Sequence, residues 1–195
     1  MKNLFQKSLL ASGLALLLTG CGNTTEAEPQ PSSLEERQDT LLAACPEPEA
    51  TELIEVAEHA CVHGDFGPFQ AVSAAPLGTY PFVDVSVPHI AYTITLPANA
   101  SAGGWGGAVT FLPEESGEYA FLLSRQRGLR IFNGTTEVAR ECRVQVPEEA
   151  CGSLRTAVVA ELEAGVEYRL EFKARAERNS QFTLVIEEAA HEDAE

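Results

Sequence analysis

The chain has 195 residues, with 13 basic and 29 acidic side chains and a formal net charge of −16 at neutral pH. This negative field repels nucleic-acid phosphates and anionic lipid headgroups, so the composition excludes a nucleic-acid-binding role and is compatible with cations and basic partners. The length suits a single domain built around one hydrophobic core.

The first twenty residues have the pattern of an export signal. Lys2 and Lys7 precede an apolar run, residues 9–18, that is too short to span a bilayer of about 30 Å. The run ends in the tetrapeptide LTGC, which resembles the lipobox of bacterial lipoproteins. This resemblance implies cleavage before Cys21 and attachment of a diacylglycerol thioether and an N-acyl chain such as palmitate, which together make a stable anchor.

The lipobox resemblance implies a protein held at the bacterial cell envelope. Gly22, not aspartate, follows the lipidated cysteine, and this favours the outer membrane while leaving the periplasmic or surface face open. We expect residues 1–20 to be the signal, 21–38 the lipidated cysteine and a flexible acidic tether, 39–188 one folded domain, and 189–195 an acidic tail. Without Lys2 and Lys7 the net charge becomes −18.

Cysteine usage also indicates an exported protein. Four cysteines follow the lipidated one, and an even number in an oxidising compartment predicts two disulfides with three possible pairings. Local pairing would close an N-terminal segment and the loop RVQVPEEA, whereas pairing each early cysteine with a late one would staple that segment to the sheet. The four residues are Cys45, Cys61, Cys142 and Cys151.

An amphipathic helix is predicted to begin at Thr51, where the sequence is TELIEVAEHA. Its apolar side chains recur at helical spacing, and Gly64 is expected to end it. The residues expected near the buried face are Leu53, Ile54, Ala57, Ala60 and Cys61.

Short strands separated by turn signals follow the helix. Residues 69–74 and 90–96 are typical of strands, and in the second of these Ile90, Tyr92, Ile94 and Leu96 alternate toward one side. Asn133-Gly134 predicts a hairpin turn. About seven or eight strands at intervals of roughly ten residues predict a mainly β fold, an antiparallel β-sandwich or jelly roll with a short N-terminal helical segment.

The strand-rich half contains FLPEESGEYAFLL, GLRIFNGTTEVA, ELEAGVEYRLEFKA and SQFTLVIEE, and it resembles the bacterial pre-peptidase C-terminal domain, a small secreted sandwich. Gly117-Glu118-Tyr119 fits the Gly-x-Tyr motif of that family, and the later GVEY departs from it by one residue. HACVHGDFGPF followed by DVSVPHIAYTITL also resembles a group of poorly characterised exported proteins with a Cys-x-His segment and a later histidine. That group implies no activity.

The segment HACVH offers the clearest chemistry. His59 and His63 stand four residues apart, so on a helix they lie on one face and can hold an ion between them. His89 adds a third imidazole at the start of a predicted strand. We expect a transition-metal site for zinc or copper at these three histidines, completed by Asp65, Glu58 or water. The alternative is an ordinary set of surface histidines.

The glycine-rich stretch GGWGG lacks the features of a phosphate loop and is expected to form a hairpin tip. Trp105 there would either contact a sugar or protein ligand or pack against the fold.

The sequence contains no GxSxG motif, acid pair or Ser-His-Asp order, so we expect no enzyme. The sequence predicts a lipid-anchored, non-catalytic binding protein. The alternative is a protein- or carbohydrate-interaction module, or an accessory domain of a secreted system.

Overall fold

In the computed structural model of the chain, residues 44–46, 49–80, 83–125 and 128–189 are described. All of the described residues belong to one compact unit, Pro31–Glu195. The predicted signal, the lipidation site at Cys21, the tether and residues 190–195 of the acidic tail lie outside the described residues. Within the described ranges, no helix is both long and apolar enough to cross a membrane.

The described residues form a mainly β structure, as predicted. Two sheets, one with strand order β1-β3-β11-β5-β9-β8 and the other with order β2-β4-β10-β6-β7, are antiparallel except for the β1–β3 pair. The elements are α1 (Glu49–Phe66), β1 (Phe69–Ser73), β2 (Ala75–Pro76), β3 (Ala91–Thr95), β4 (Trp105–Phe111), β5 (Gly117–Leu123), β6 (Arg130–Asn133), β7 (Thr136–Val138), β8 (Cys142–Gln145), β9 (Thr156–Leu162), β10 (Tyr168–Ala174), a short 3₁₀ helix (Glu177–Asn179) and β11 (Gln181–Glu188).

The two sheets bury a common core between them. The predicted alternation in β3 is confirmed, because Tyr92, Ile94 and Leu96 are almost completely buried there and Ile90 packs against the same core. Aromatic and branched side chains of both sheets fill this space, which we call the sandwich core. Its largest buried members include Tyr92, Phe121, Leu129, Ile131, Leu170 and Phe172.

The central strands of the six-stranded sheet are apolar on both faces because α1 covers the outer one. α1 contacts β11 and β5, and its Leu53, Ala57 and Ala60 are buried as predicted. Opposite them lie small or branched residues of the sheet, which let the helix approach closely. These sheet residues are Ala120, Leu122, Ala157, Val159 and Val185.

The helix continues past Gly64, so the predicted end at that residue is wrong. Gly64 stays helical because the chain there packs closely against Ser153 and Leu154. The helix ends at Phe66, and the next residue, Gly67, has a φ of 78°, the left-handed conformation that glycine adopts without strain. The Gly67 N–H donates to the His63 carbonyl 2.8 Å away and closes the last turn.

Each early cysteine is paired with a late one. The disulfides join Cys45 to Cys142 and Cys61 to Cys151, and the local pairings are not formed. The segment after Cys142, interpreted from sequence as a loop, instead begins with the edge strand β8. The two disulfides attach the N-terminal segment and α1 covalently to the sheet region. They indicate an oxidising, extracytoplasmic compartment.

The GGWGG stretch is mostly strand, which corrects the expectation of a hairpin tip. Gly103 and Gly104 form the turn, and Trp105 begins β4, where its half-buried ring packs against the sandwich core. Gly106 and Gly107 lie inside β4 because neighbouring chain segments approach too closely for a side chain. A Cβ atom on Gly107 would lie 2.7 Å from the Ala74 Cβ and 2.9 Å from the Ala75 carbonyl oxygen.

This close approach predicts that Gly107→Ala destabilises the fold. The added methyl group would force β2 away from β4, which should lower the free energy of unfolding by about 1–3 kcal/mol. Urea unfolding followed by circular dichroism measures the change. Gly152→Ala is the matched control, since a Cβ there meets no atom within 4 Å, and its effect should stay within about 0.5 kcal/mol. Equal effects of the two substitutions would contradict the steric argument.

Candidate metal centre

The structure brings the three predicted histidines together. His59 and His63 lie one turn apart on the edge of α1, and their rings face the turn that precedes β3. The ring centroids are 5.1 Å apart for His59 and His63, 5.5 Å for His59 and His89, and 5.0 Å for His63 and His89. Three imidazoles from two distant parts of the chain therefore meet at one point of the surface.

His89 is held in an uncommon backbone conformation. Its φ of 59° is left-handed, a conformation that non-glycine residues adopt at an energetic cost. Tyr92 fixes the turn, because its hydroxyl accepts from the Val87 N–H at 3.0 Å and donates to the Val87 carbonyl at 3.1 Å. The Ala91 N–H donates to the Pro68 carbonyl and so ties the turn to the segment that follows the helix.

Glu187 completes the cluster, and its role was not predicted from the sequence. In β11, Phe182, Leu184 and Ile186 enter the sandwich core, so Val185 and Glu187 face the opposite side, beneath α1. The Glu187 Oε2 lies 3.5 Å from the His59 Nδ1. Alternation in the strand would assign Glu187 to solvent, but the covering helix leaves its side chain only 10% exposed.

The distances among these groups fit a single bound ion. One ligand atom from each of the four residues lies within 4.8 Å of the others, and the His63 Nε2 and His89 Nδ1 are 3.2 Å apart. Ligands at 2.0–2.1 Å from a tetrahedral zinc ion are separated by about 3.3–3.4 Å. The ligand atoms therefore lie close to the positions of a coordination shell, and small side-chain movements would complete it.

The buried carboxylate of Glu187 is only partly compensated by the protein groups around it. Burial raises the pKa of Glu187, and the three nearby imidazoles oppose this shift only in part. Two buried atoms, Oε1 of Glu187 and Nδ1 of His63, have no hydrogen-bond partner. Unpartnered buried polar atoms are rare, and such atoms mark positions where an ion, a water or a ligand belongs.

Other residues considered as ligands lie outside this cluster. Cys61 is bridged to Cys151 and has no thiolate to offer. Asp65 and Glu58, expected as a fourth ligand, are exposed and do not belong to the four-residue group. Trp105, expected either to contact a sugar or protein ligand or to pack against the fold, packs against the sandwich core. A second group of carboxylates, Glu118, Glu141 and Glu161, lacks any histidine.

A pocket of about 600 Å³ adjoins the cluster. His59, His89 and Glu187 contribute to its wall, next to side chains of β11 and of the turn before β3. Tyr119 also lines it and donates a hydrogen bond to the Glu115 carbonyl at 3.0 Å. Burial raises the pKa of Tyr119 to about 12, so this hydroxyl remains protonated at neutral pH.

Comparison with known proteins identifies no family for this chain. No family model and no curated protein matches it. Among solved structures, a crystal structure of the β-glucosidase of Kluyveromyces marxianus in complex with glucose is similar over 49% of this chain and 12% of that one. The identity is 15% and the TM-score 0.29, so this similarity carries no argument about the site.

The buried charge of Glu187 is expected to lower the free energy of unfolding of the metal-free protein. At pH 8, with a chelator present, Glu187→Gln should raise the free energy of unfolding by about 1 kcal/mol, because it removes a desolvated charge and keeps the shape. Because burial raises the pKa of Glu187, its carboxyl takes up a proton more readily as the pH falls, so the stabilisation by Glu187→Gln should be smaller at pH 5. Urea unfolding at the two pH values measures both effects. Destabilisation of equal size at both values would instead identify Glu187 as a structural hydrogen-bond acceptor.

Proposed function

We propose that this protein is a non-catalytic binding protein of the bacterial cell envelope, lipid-anchored at Cys21, that binds a zinc or copper ion through His59, His63, His89 and Glu187. The observation that carries the proposal is the convergence of four ligand atoms within 4.8 Å. These atoms come from a helix, a turn and a strand that are far apart in sequence.

The chemistry of the four ligands supports a transition metal. Imidazole nitrogens are good ligands for zinc, copper and nickel, and one carboxylate among three imidazoles is compatible with zinc or copper. Calcium and magnesium prefer sites made mainly of oxygen atoms, so a cluster of three imidazoles disfavours them. The net charge of −16 further favours the arrival of cations.

The cost of building the cluster also supports a functional role. The left-handed backbone of His89 and the unpartnered oxygen of Glu187 each cost stability, of the order of 1–3 kcal/mol. A cluster that only stabilised the fold would have satisfied these groups. An ion among the four residues would give the carboxylate its missing partner and offset part of that cost.

Metal titration tests this proposal directly. Calorimetry with zinc and with copper at pH 7.5 should show one site, and His63→Gln or Glu187→Gln should weaken binding at least about tenfold. Lowering the pH should weaken metal binding by the wild type, because protons compete with the ion for the imidazoles.

His191, the fourth histidine of the sequence, lies outside the described residues and provides the matched control. His191→Gln should bind metal as the wild type does. Flat titrations with both ions would overturn the proposed function. Equal loss of binding in His63→Gln and His191→Gln would show that binding involves scattered histidines and not this cluster.

The proposed anchor rests on the LTGC sequence and is tested separately. Cys21→Ser removes the sulfur that would carry the lipid, so the variant should leave the membrane fraction or accumulate uncleaved. Fractionation followed by intact-mass measurement distinguishes these results. Unchanged sedimentation together with an unchanged mass would contradict lipidation at Cys21.

A further inference from the structure

The pocket beside the cluster and the cluster itself share residues. His59, His89 and Glu187 line the pocket. His63, the fourth member of the cluster, is partly buried and is not part of the pocket wall. An ion held by the four residues would therefore lie in the pocket wall. A molecule inside the pocket would be able to reach it.

The rest of the pocket wall is largely apolar. Val85 is almost fully buried at the wall, Phe111 is 4% exposed, and Ile186 comes from the same strand as Glu187. Val87 and Leu112 stand at the rim and are exposed. A volume of about 600 Å³ with such walls is in the range of pockets that bind small organic molecules.

Charge restricts the class of ligand. Besides Glu187, the lining contains Glu55, Glu114 and Glu188, and none of its residues within the described ranges is lysine or arginine. A divalent ion would be offset by these carboxylates, so the pocket would keep a net negative charge and disfavour anions. Glu187 has a buried oxygen without a partner and a side chain that is only 10% exposed, which distinguishes this group from an ordinary acidic surface.

We propose that the pocket binds a small molecule with an apolar body and an uncharged nitrogen donor, and that this donor coordinates the metal ion. The inference rests on the proposed metal site and specifies what that site binds. Four protein ligands leave a further coordination position for five-coordinate zinc or for tetragonal copper. The apolar body would lie against Val87 and Leu112, whose side chains are exposed at the pocket rim, and the donor would point toward His59 and His89.

Cobalt(II) makes the test spectroscopic, since its visible absorption reports the number and kind of its ligands. The cobalt-loaded protein at pH 8 is titrated with 4-phenylimidazole, with imidazole and with phenylacetate. We expect 4-phenylimidazole to change the cobalt bands at concentrations about tenfold lower than imidazole, because its phenyl ring is buried in the pocket. Phenylacetate should have little effect.

Two variants assign the effect to the pocket. Leu112→Arg introduces a long side chain at the rim, where Leu112 is exposed, and should abolish the preference for 4-phenylimidazole while leaving the cobalt bands intact. Thr135→Arg, in the exposed turn between β6 and β7, adds the same charge elsewhere and should change nothing.

The outcomes separate the two proposals. Cobalt bands that respond equally to imidazole and 4-phenylimidazole, or a preference that survives Leu112→Arg, would overturn the pocket inference and leave the metal site standing. Phenylacetate binding as tightly as 4-phenylimidazole would overturn the ligand class. Absence of cobalt bands at any concentration would overturn this inference, and flat zinc and copper titrations of the same protein would overturn the metal site as well.

Discussion

The packing of α1 on the outer face of the six-stranded sheet determines the rest of this structure. The helix covers alanines of β5 and β9, and both its own segment and the preceding one are bridged to the sheet region by disulfides. Without this cover, the outer face of β11 would meet solvent and Glu187 would be an ordinary surface carboxylate. The same contact brings His59 and His63 over the end of β11, so the ligand set depends on it.

Part of the site follows from local rules, and part depends on long-range packing. The spacing of His59 and His63 is fixed by helix geometry alone, and the sequence predicted both this pair and His89. Glu187 was missed because strand alternation assigns it to the side opposite the sandwich core, where solvent is the usual neighbour. The signal that would have revealed it is Val185, an apolar residue on that same side, which indicates a covered face.

The fold shows the same division between features set by local sequence and features set by long-range contacts. The helical face and the alternation of β3 were predicted because each depends on residues close in sequence. The disulfide pairing was left open and β8 was interpreted as a loop, because both are determined by contacts between distant segments. The glycines of β4 belong to this second class, since Gly107 is required by the approach of Ala74 and Ala75 and not by a turn.

The location of the cluster favours an exchangeable role over a structural one for the proposed ion. Structural zinc sites are closed, rich in cysteine, and needed for folding. Here the cysteines form disulfides, each of which contributes about 2–5 kcal/mol to the free energy of unfolding, so they are not metal ligands. His59 is 56% exposed and His89 also faces solvent, so an ion in this cluster would exchange with its surroundings. A buried carboxylate beside two exposed imidazoles and one partly buried imidazole suits a proposed ion that is bound and released, or one that holds a further ligand.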